Sequence, residues 1–347
     1  MLSPLIPDIN HPKWIIAIKI LEIVASPRAQ KMAGRLKISD IDDFLLSIKL
    51  LVLSDIFERD ISNLILEINS NYELKRLLKV NSYIKSQSIY KLLSKMDYEH
   101  TYSFFRRLFY RKRTSSRRKA EIIIIDTTSI VIDLNLWRNK HRIGKNDKKY
   151  KYAYDHSSGY YVGFKLILAI NRDLQIIGFK IHRNSPHDSK LLISFVENLI
   201  RSKLIRQGDI IVCDKGFTSK QNYQTLINRF YVIPILYPKK NTNMDKIIDE
   251  LNPPLDVFFY NKYKLQLWIK IVSDFRKLIA KWEEFKPIRS EIEDLFNVAK
   301  NCLGMKQIHQ YTEASVEKKV SRIIFLTPEL IHLLFEQNIE IKAIPFL

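Results

Sequence analysis

Three acidic residues lie where a phosphoryl-transfer site would need them. Asp126 closes the apolar run Ile122-Ile123-Ile124-Ile125, Asp214 closes Ile210-Ile211-Val212-Cys213, and Glu293 lies in the helix-like segment Arg289–Gly304. Carboxylates at the ends of two buried strands, with a third from a helix, can hold divalent cations against a phosphodiester. The first two each have an equally good structural reading. Asp126, followed by Thr127, Thr128 and Ser129, can be an Asx-type cap that ends its strand. Asp214, followed by Lys215, Gly216 and Phe217, can belong to an ordinary strand-to-helix turn.

The third segment discriminates better. Arg289, Glu293, Phe296 and Lys300 follow one another at helical spacing and share one face. A carboxylate between two cations is usually an exposed salt-bridged stripe. Phe296 and Leu303 on this face mean that part of it is buried, which suits a metal ligand with phosphate contacts on either side. Glu291 competes for the role, but two helical residues differ by about 200° in direction. The register of Arg289, Phe296 and Lys300 selects Glu293.

The elements around these residues follow from periodicity. Up to about residue 105 the pattern is helical, in Trp14–Val24, Ile41–Leu53, Ile61–Leu78 and Ser86–Phe109, with polar breaks at Asn69-Ser70-Asn71 and Asn81-Ser82. Phe105–Lys119 then carries Arg106, Arg107, Arg111, Lys112, Arg113, Arg117, Arg118 and Lys119 without an acid. That stretch is either a solvated linker or a contact to a phosphate backbone, and it marks a domain boundary. From Glu121 the period changes. Ile122–Ile125 reads as a buried strand, and Tyr160–Ile170 and Leu174–His182 as an antiparallel hairpin turning at Asn171-Arg172-Asp173. Ser185-Pro186-His187-Asp188 reads as a helix start, with Asp188 a cap acid rather than a ligand. Asp209–Cys213 is a strand, Ser219–Arg229 a helix and Tyr231–Leu236 a further strand. The fold class is therefore α/β, with an all-α N-terminal domain at 1–119 and a mixed-sheet domain at 120–347.

With 57 Lys+Arg against 37 Asp+Glu, the chain of 347 residues has a formal charge of +20. The favoured partner of such a field is nucleic acid, with an anionic membrane second. A hydrophobic content of 46% supports real cores, so the charge does not imply disorder. No apolar run reaches the roughly 18 residues of a membrane span, and no cationic-then-apolar leader opens the chain, so a cytoplasmic protein is expected. Cys213 and Cys302 lack metal-ligand spacing and read as buried structural thiols. His141, His156, His182 and His187 likewise lack such spacing, and Asp133, Asp155 and Asp173 sit in turn-like contexts. Arg138–Lys151, with Tyr150, Tyr152 and Tyr154, reads as a DNA-contacting loop or as a solvated one.

The motifs Ile-Ile-Asp-Thr-Thr around Asp126, Val-Cys-Asp-Lys-Gly-Phe around Asp214 and the Arg289–Gly304 segment resemble those of DDE transposases of bacterial and archaeal insertion sequences. Tyr161–Lys165 and His187-Asp188-Ser189 also fall where that family has similar segments. Arg289-x3-Glu293-x6-Lys300 is similar to the core of the Tyr-Arg-Glu-Lys signature of one branch, although Lys286 stands where the signature has tyrosine. The resemblance implies a ribonuclease-H-like catalytic domain in which Asp126, Asp214 and Glu293 bind two Mg²⁺ or Mn²⁺ ions. One ion would activate the attacking water or 3′-hydroxyl, and the other would stabilise the leaving oxygen. It further implies phosphate contacts by Lys300 and Arg289, cleavage of double-stranded DNA at element ends, joining to target DNA, a homodimer in the DNA complex and a nucleoid-associated location. The short separation of Asp214 and Glu293 leaves room only for a small insertion near 240–275, with Val257–Val272 and its aromatic alternation as the candidate. A nuclease without strand transfer and an inactive DNA-binding derivative are the alternatives.

Overall fold

The computed structural model describes residues 12–36, 38, 40–96, 98–109, 120–132, 152–155, 159–183, 186–310 and 312–336. They form two compact units. Met1–Arg111, Ile132–Arg142 and Leu295–Leu347 make one, and Lys112–Val131 with Ile143–Asp294 make the other. The division at 119/120 that the sequence favours is therefore incomplete, because the C-terminal segment belongs with the N-terminal helices.

The first unit contains α1 (Pro12–Val24), α2 (Pro27–Gly34), α3 (Ile41–Phe57), α4 (Ile61–Ser70), α5 (Tyr72–Leu78), α6 (Ser86–Lys95) and α7 (Tyr98–Phe109). Local chemistry sets several of the starts. Ser26 caps α2 by accepting from Ala29 N at 3.2 Å, with Pro27 in the first position. Asp40 caps α3 through Asp43 N at 2.9 Å, and the Asn71 side chain caps α5. The long C-terminal helix Glu313–Glu336 completes this unit. Its Arg322 forms a buried two-pronged ion pair with Asp55 of α3, with Nη2 at 3.0 Å from Oδ1 and Nε on Oδ2. Val320, Ile324 and Leu334 of the same helix are fully buried. That apolar face and the paired arginine are the physical reason the segment joins the N-terminal helices.

The second unit is built on a mixed sheet. Its strands are β1 (Ile122–Ile132), β2 (Tyr152–Asp155), β3 (Gly159–Asn171), β4 (Ile176–Arg183), β5 (Ile210–Cys213) and β6 (Ile233–Leu236). β3 pairs antiparallel with β1, β2 and β4, whereas β5 runs parallel to both β1 and β6. The central strands are apolar on consecutive residues because both faces are covered. The β3–β4 turn is held by Asn171, whose Oδ1 accepts from Asp173 N and Gln175 N at 3.1 and 2.9 Å. At Gly163 a Cβ would stand 1.9 Å from the Ile130 carbonyl oxygen, so only glycine allows β3 to approach β1 there.

α8 (Asp188–Arg201) and α9 (Lys220–Asn228) cover one face, where Leu192, Phe195, Tyr223 and Leu226 pack on Ile123, Ile125 and Ile167. The cap of α8 is His187, whose Nδ1 accepts from Ser189 N. The helix therefore starts later than Ser185, which lies outside the described residues. The stretch 240–275 holds α10 (Met244–Asp249), α11 (Leu255–Tyr260) and most of α12 (Lys262–Ile279). Ile271, Val272, Phe275 and Ile279 are buried at helical spacing along α12. α13 (Lys286–Cys302) follows a short 3-10 turn, Trp282–Phe285, and the boundary between the units falls inside it. The final helix, Glu313–Glu336, is α14. Among the described residues no helix is long and apolar enough to cross a membrane.

Candidate active site

The site forms at the carboxyl end of the parallel strands. The β1–β5 pairing stops at Ile125 and Cys213, and the β5–β6 pairing stops at Cys213 and Leu236. The next residue on each strand is Asp126, Asp214 and Tyr237 respectively, so three side chains emerge in a row from one sheet edge. β1 does not end at its acid, contrary to the expectation from Thr127-Thr128-Ser129. It continues to Ile132 because β3 remains paired with it through Val131. Asp126 is thus a mid-strand residue beside the point where its parallel neighbour ends. Asp214 precedes the 3-10 turn Lys215–Phe217 but makes no side-chain cap hydrogen bond, which leaves its carboxylate for the site.

Arg289 of α13 gathers the acids. Its Nη2 lies 3.5 Å from Asp126 Oδ2, its Nη1 lies 3.7 Å from Asp214 Oδ1, and Nη2 also bonds Glu293 one turn along the helix. Glu291 faces elsewhere and meets Arg172 at 3.5 Å, so the helix register separates the two glutamates as expected. Asp126 is only 9% exposed, and burial pushes its carboxyl up to about 7. The Arg289 charge and the Thr127 N–H, which Oδ1 accepts at 2.8 Å, oppose that rise, while Asp214 and Asp188 add to it. For Arg289, burial disfavours the cation, but Asp126, Asp214 and Glu293 more than offset it and hold its pKa above the usual value.

The three carboxylates supply oxygen only, the donor type that Mg²⁺ and Mn²⁺ take. Among the described residues, no three His, Cys, Asp or Glu side chains stand close enough together to hold a metal ion. The Arg289 guanidinium is the cation that bridges the three acids in this arrangement. The donor set fits a divalent site, and its spacing here is the spacing of an arginine-bridged cluster.

Two neighbours of the acids were not legible in sequence. Asp188, expected as a cap, instead accepts from Lys165 Nζ at 2.8 Å and Thr127 Oγ1 at 2.9 Å. Side chains alternate along a strand, so Thr127 lies on the opposite face of β1 from Asp126, and Asp188 approaches from that opposite face. A Cβ on Gly216 would stand 2.9 Å from Asp188 Oδ2, so this carboxylate also touches the turn that follows Asp214. Asp188 therefore ties β1, β3 and the Asp214 turn together. Asn222 reinforces the turn, its Nδ2 donating to Phe217 O at 2.7 Å and Ser189 O at 3.0 Å.

The second neighbour is Tyr237. Arg289 lies over its ring at 6.0 Å, and its ring centroid is 5.1 Å from that of Trp282. Burial pushes its phenol up to about 12, so it keeps its proton near neutral pH. Lys286, at the place of the signature tyrosine, sits with Nζ 4.6 Å from the Trp282 ring. A signal for Tyr237 existed in its position one residue past an apolar strand, but the strand order that puts it beside Asp214 was not readable.

The remaining candidates are more dispersed. Lys300 is half-buried two turns beyond Glu293, on the part of α13 that belongs to the first unit. Arg106 stacks on Tyr102 at 5.8 Å, and the carbonyl of Arg107 accepts from Arg28 Nη2 at 3.2 Å. Arg111, Lys112, Arg113, Arg117, Arg118, Lys119 and the stretch 138–151 lie outside the described residues. Cys213 and Cys302 are buried and unbonded to each other. Burial drives both thiols up, Cys302 to about 12, so neither is a reactive thiolate.

A comparison with curated proteins gives no match. Among solved structures, the chain is aligned with the Mos1 mariner paired end complex with Mn at 11% identity, over 80% of this chain and 98% of the other. The TM-score is 0.20, too low to carry a fold or a residue role. Residues 117–327 match the family described as Transposase DDE domain, and with more than half of its length so matched the chain belongs to that family.

Proposed function

We propose that this protein cleaves double-stranded DNA at the ends of an insertion sequence of the bacterial or archaeal kind and joins the freed 3′-hydroxyl to target DNA. The observation that carries the reading is the cluster of Asp126, Asp214 and Glu293 around Arg289, in a chain of the DDE transposase family. The sheet order β4-β3-β1-β5-β6, with β3 antiparallel to β1 and β5 and β6 running parallel to it, supports a ribonuclease-H-like catalytic unit. On this reading Asp126, Asp214 and Glu293 hold two Mg²⁺ or Mn²⁺ ions. Bound there, the ions would supply activation of the attacking oxygen and charge stabilisation of the leaving one.

The chain's own residues do the rest. β1 and β5 set the separation of two carboxylates rigidly, because both residues directly follow paired strand positions. Glu293 comes from a helix and adjusts by rotamer. Arg289 neutralises the acids until cations and DNA arrive, and then turns to the phosphate backbone. Lys300, Arg106, Arg107 and the basic run 111–119 contribute further phosphate contacts, with the N-terminal helices as the DNA-binding part. In the cutting step water forms a bond to phosphorus, and the bond to the 3′-oxygen breaks. In joining, that 3′-hydroxyl attacks a target phosphodiester and displaces its 3′-oxygen. Two ends must meet for joining, so a homodimer on DNA is part of the proposal, as is a cytoplasmic, nucleoid-associated location.

The test is incubation of the protein and Mn²⁺ with linear DNA carrying the sequences that flank its reading frame. Strand-transfer products are expected. Cuts without joined products would reduce the reading to a nuclease, and no cuts at all would overturn it.

A further inference from the structure

Tyr237 presents an unused donor at the acid cluster. Its backbone is fully engaged, with N donating to Cys213 O at 3.1 Å and O accepting from Thr218 Oγ1 at 2.6 Å. Its ring meets the Arg289 guanidinium at 6.0 Å and, tilted, the Trp282 ring at 5.1 Å. The residue is only 6% exposed, yet its hydroxyl has no hydrogen-bond partner among the described residues. Tyr223, the tyrosine nearest in kind, shows what the same core does with an ordinary phenol, since its hydroxyl donates to Leu236 O at 2.5 Å. Burying a donor without an acceptor is unfavourable, and such a group calls for a partner from outside the chain, whether water, ion or ligand.

The position identifies the ligand class. Asp126, Asp214 and Tyr237 directly follow the last positions at which three adjacent strands pair in parallel. The backbone of Tyr237 is therefore level with that of the two acids, and its ring meets the Arg289 guanidinium that joins them. The carboxylates already have Arg289 as a partner. What remains for a neutral donor next to an arginine at this edge is an incoming oxyanion. We propose that the Tyr237 hydroxyl, covered in the free protein, donates a hydrogen bond to a phosphate oxygen of the DNA strand held at the acid cluster once Arg289 has turned from the acids. The proposal rests on the phosphoryl-transfer reading of the site. Tyr237 is on this view a substrate-contacting residue, oriented by its ring contacts with Arg289 and Trp282.

The test uses Tyr237→Phe, which keeps the ring and removes only the hydroxyl. Because no hydrogen bond of the free protein is lost, the melting temperature should stay at or above the wild-type value. A clear fall would mean that the hydroxyl has a partner in the folded protein, and would overturn the proposal. Cutting is then measured in Mn²⁺ on linear DNA carrying the flanking sequences, intact or with single methylphosphonates placed around the cut. Tyr237→Phe should cut about tenfold more slowly than wild type, the effect of one hydrogen bond to a charged group. One methylphosphonate position should slow wild type about tenfold and slow the variant little further. Equal rates for the two proteins, or equal penalties at every methylphosphonate, would refute the contact while leaving the function standing. If wild type cuts no DNA, the phosphoryl-transfer reading fails and this contact fails with it.

Discussion

Replacing Asp126 by Asn should stabilise the cation-free protein while it abolishes cutting. Burial lifts this carboxyl from 3.8 to about 7, even with Arg289 beside it. The unfolded chain releases the proton near the ordinary value and the folded chain only near 7. Between those values the folded form holds more protons, so wild type loses stability as pH rises through the interval, and the whole loss is present above it. At about 1.4 kcal/mol per pH decade the full difference is about 4 kcal/mol, a ceiling because solvent relaxation softens buried charges. Asparagine is uncharged in both states and is exempt. Urea denaturation in EDTA should therefore show a stability gap between variant and wild type of about 1.5 kcal/mol at pH 5, growing by roughly 2 kcal/mol or more by pH 8. Mg²⁺ should narrow the gap by stabilising wild type alone. A gap that does not change with pH would mean that Asp126 ionises normally, and the account of its burial would be wrong.

Glu293→Gln should lower cutting by at least about a hundredfold with DNA binding retained, whereas Glu291→Gln, which loses only its Arg172 contact, should cut normally. A gel-shift and cleavage series on both variants decides between them. Gly216→Ala would press a methyl group against Asp188 Oδ2 and disturb the turn after Asp214, so a weaker Mn²⁺ affinity by paramagnetic resonance is expected, with little change in the fold by circular dichroism. Lys300→Ala should reduce the slope of log affinity for DNA against log salt by about 0.9, one phosphate contact. Arg322→Met should destabilise the first unit by about 3–5 kcal/mol in urea, since it leaves the Asp55 carboxylate buried without its cation.

Asp126 and Asp214 stand out in sequence because each follows an apolar run, although β1 itself continues past Asp126. Glu293 was legible because helical periodicity is rigid enough to separate it from Glu291. The extent of β1 was not, because Thr127, Thr128 and Ser129 read as a stop while the antiparallel partner β3 keeps the strand going. Asp188 and Tyr237 were missed for a related reason. A carboxylate at a helix start and a tyrosine at a strand end both have local explanations. Their contacts with Lys165, Thr127 and Arg289 depend on strand order, which no window of sequence contains.

The ion pair between Asp55 and Arg322 joins residues 267 positions apart. On a ribosome the aspartate is made long before the arginine, and the whole strand-bearing unit is synthesised in between. The first unit therefore has a high contact order and completes last, whereas the second can fold while the chain is still growing. A product that terminates before residue 322 would keep Asp126, Asp214 and Glu293 and the sheet that carries the first two. Its early helices, however, would present an uncompensated carboxylate and the apolar surface that α14 normally covers. Such truncated chains would be prone to aggregate, because the apolar surface stays open until the last helix is made.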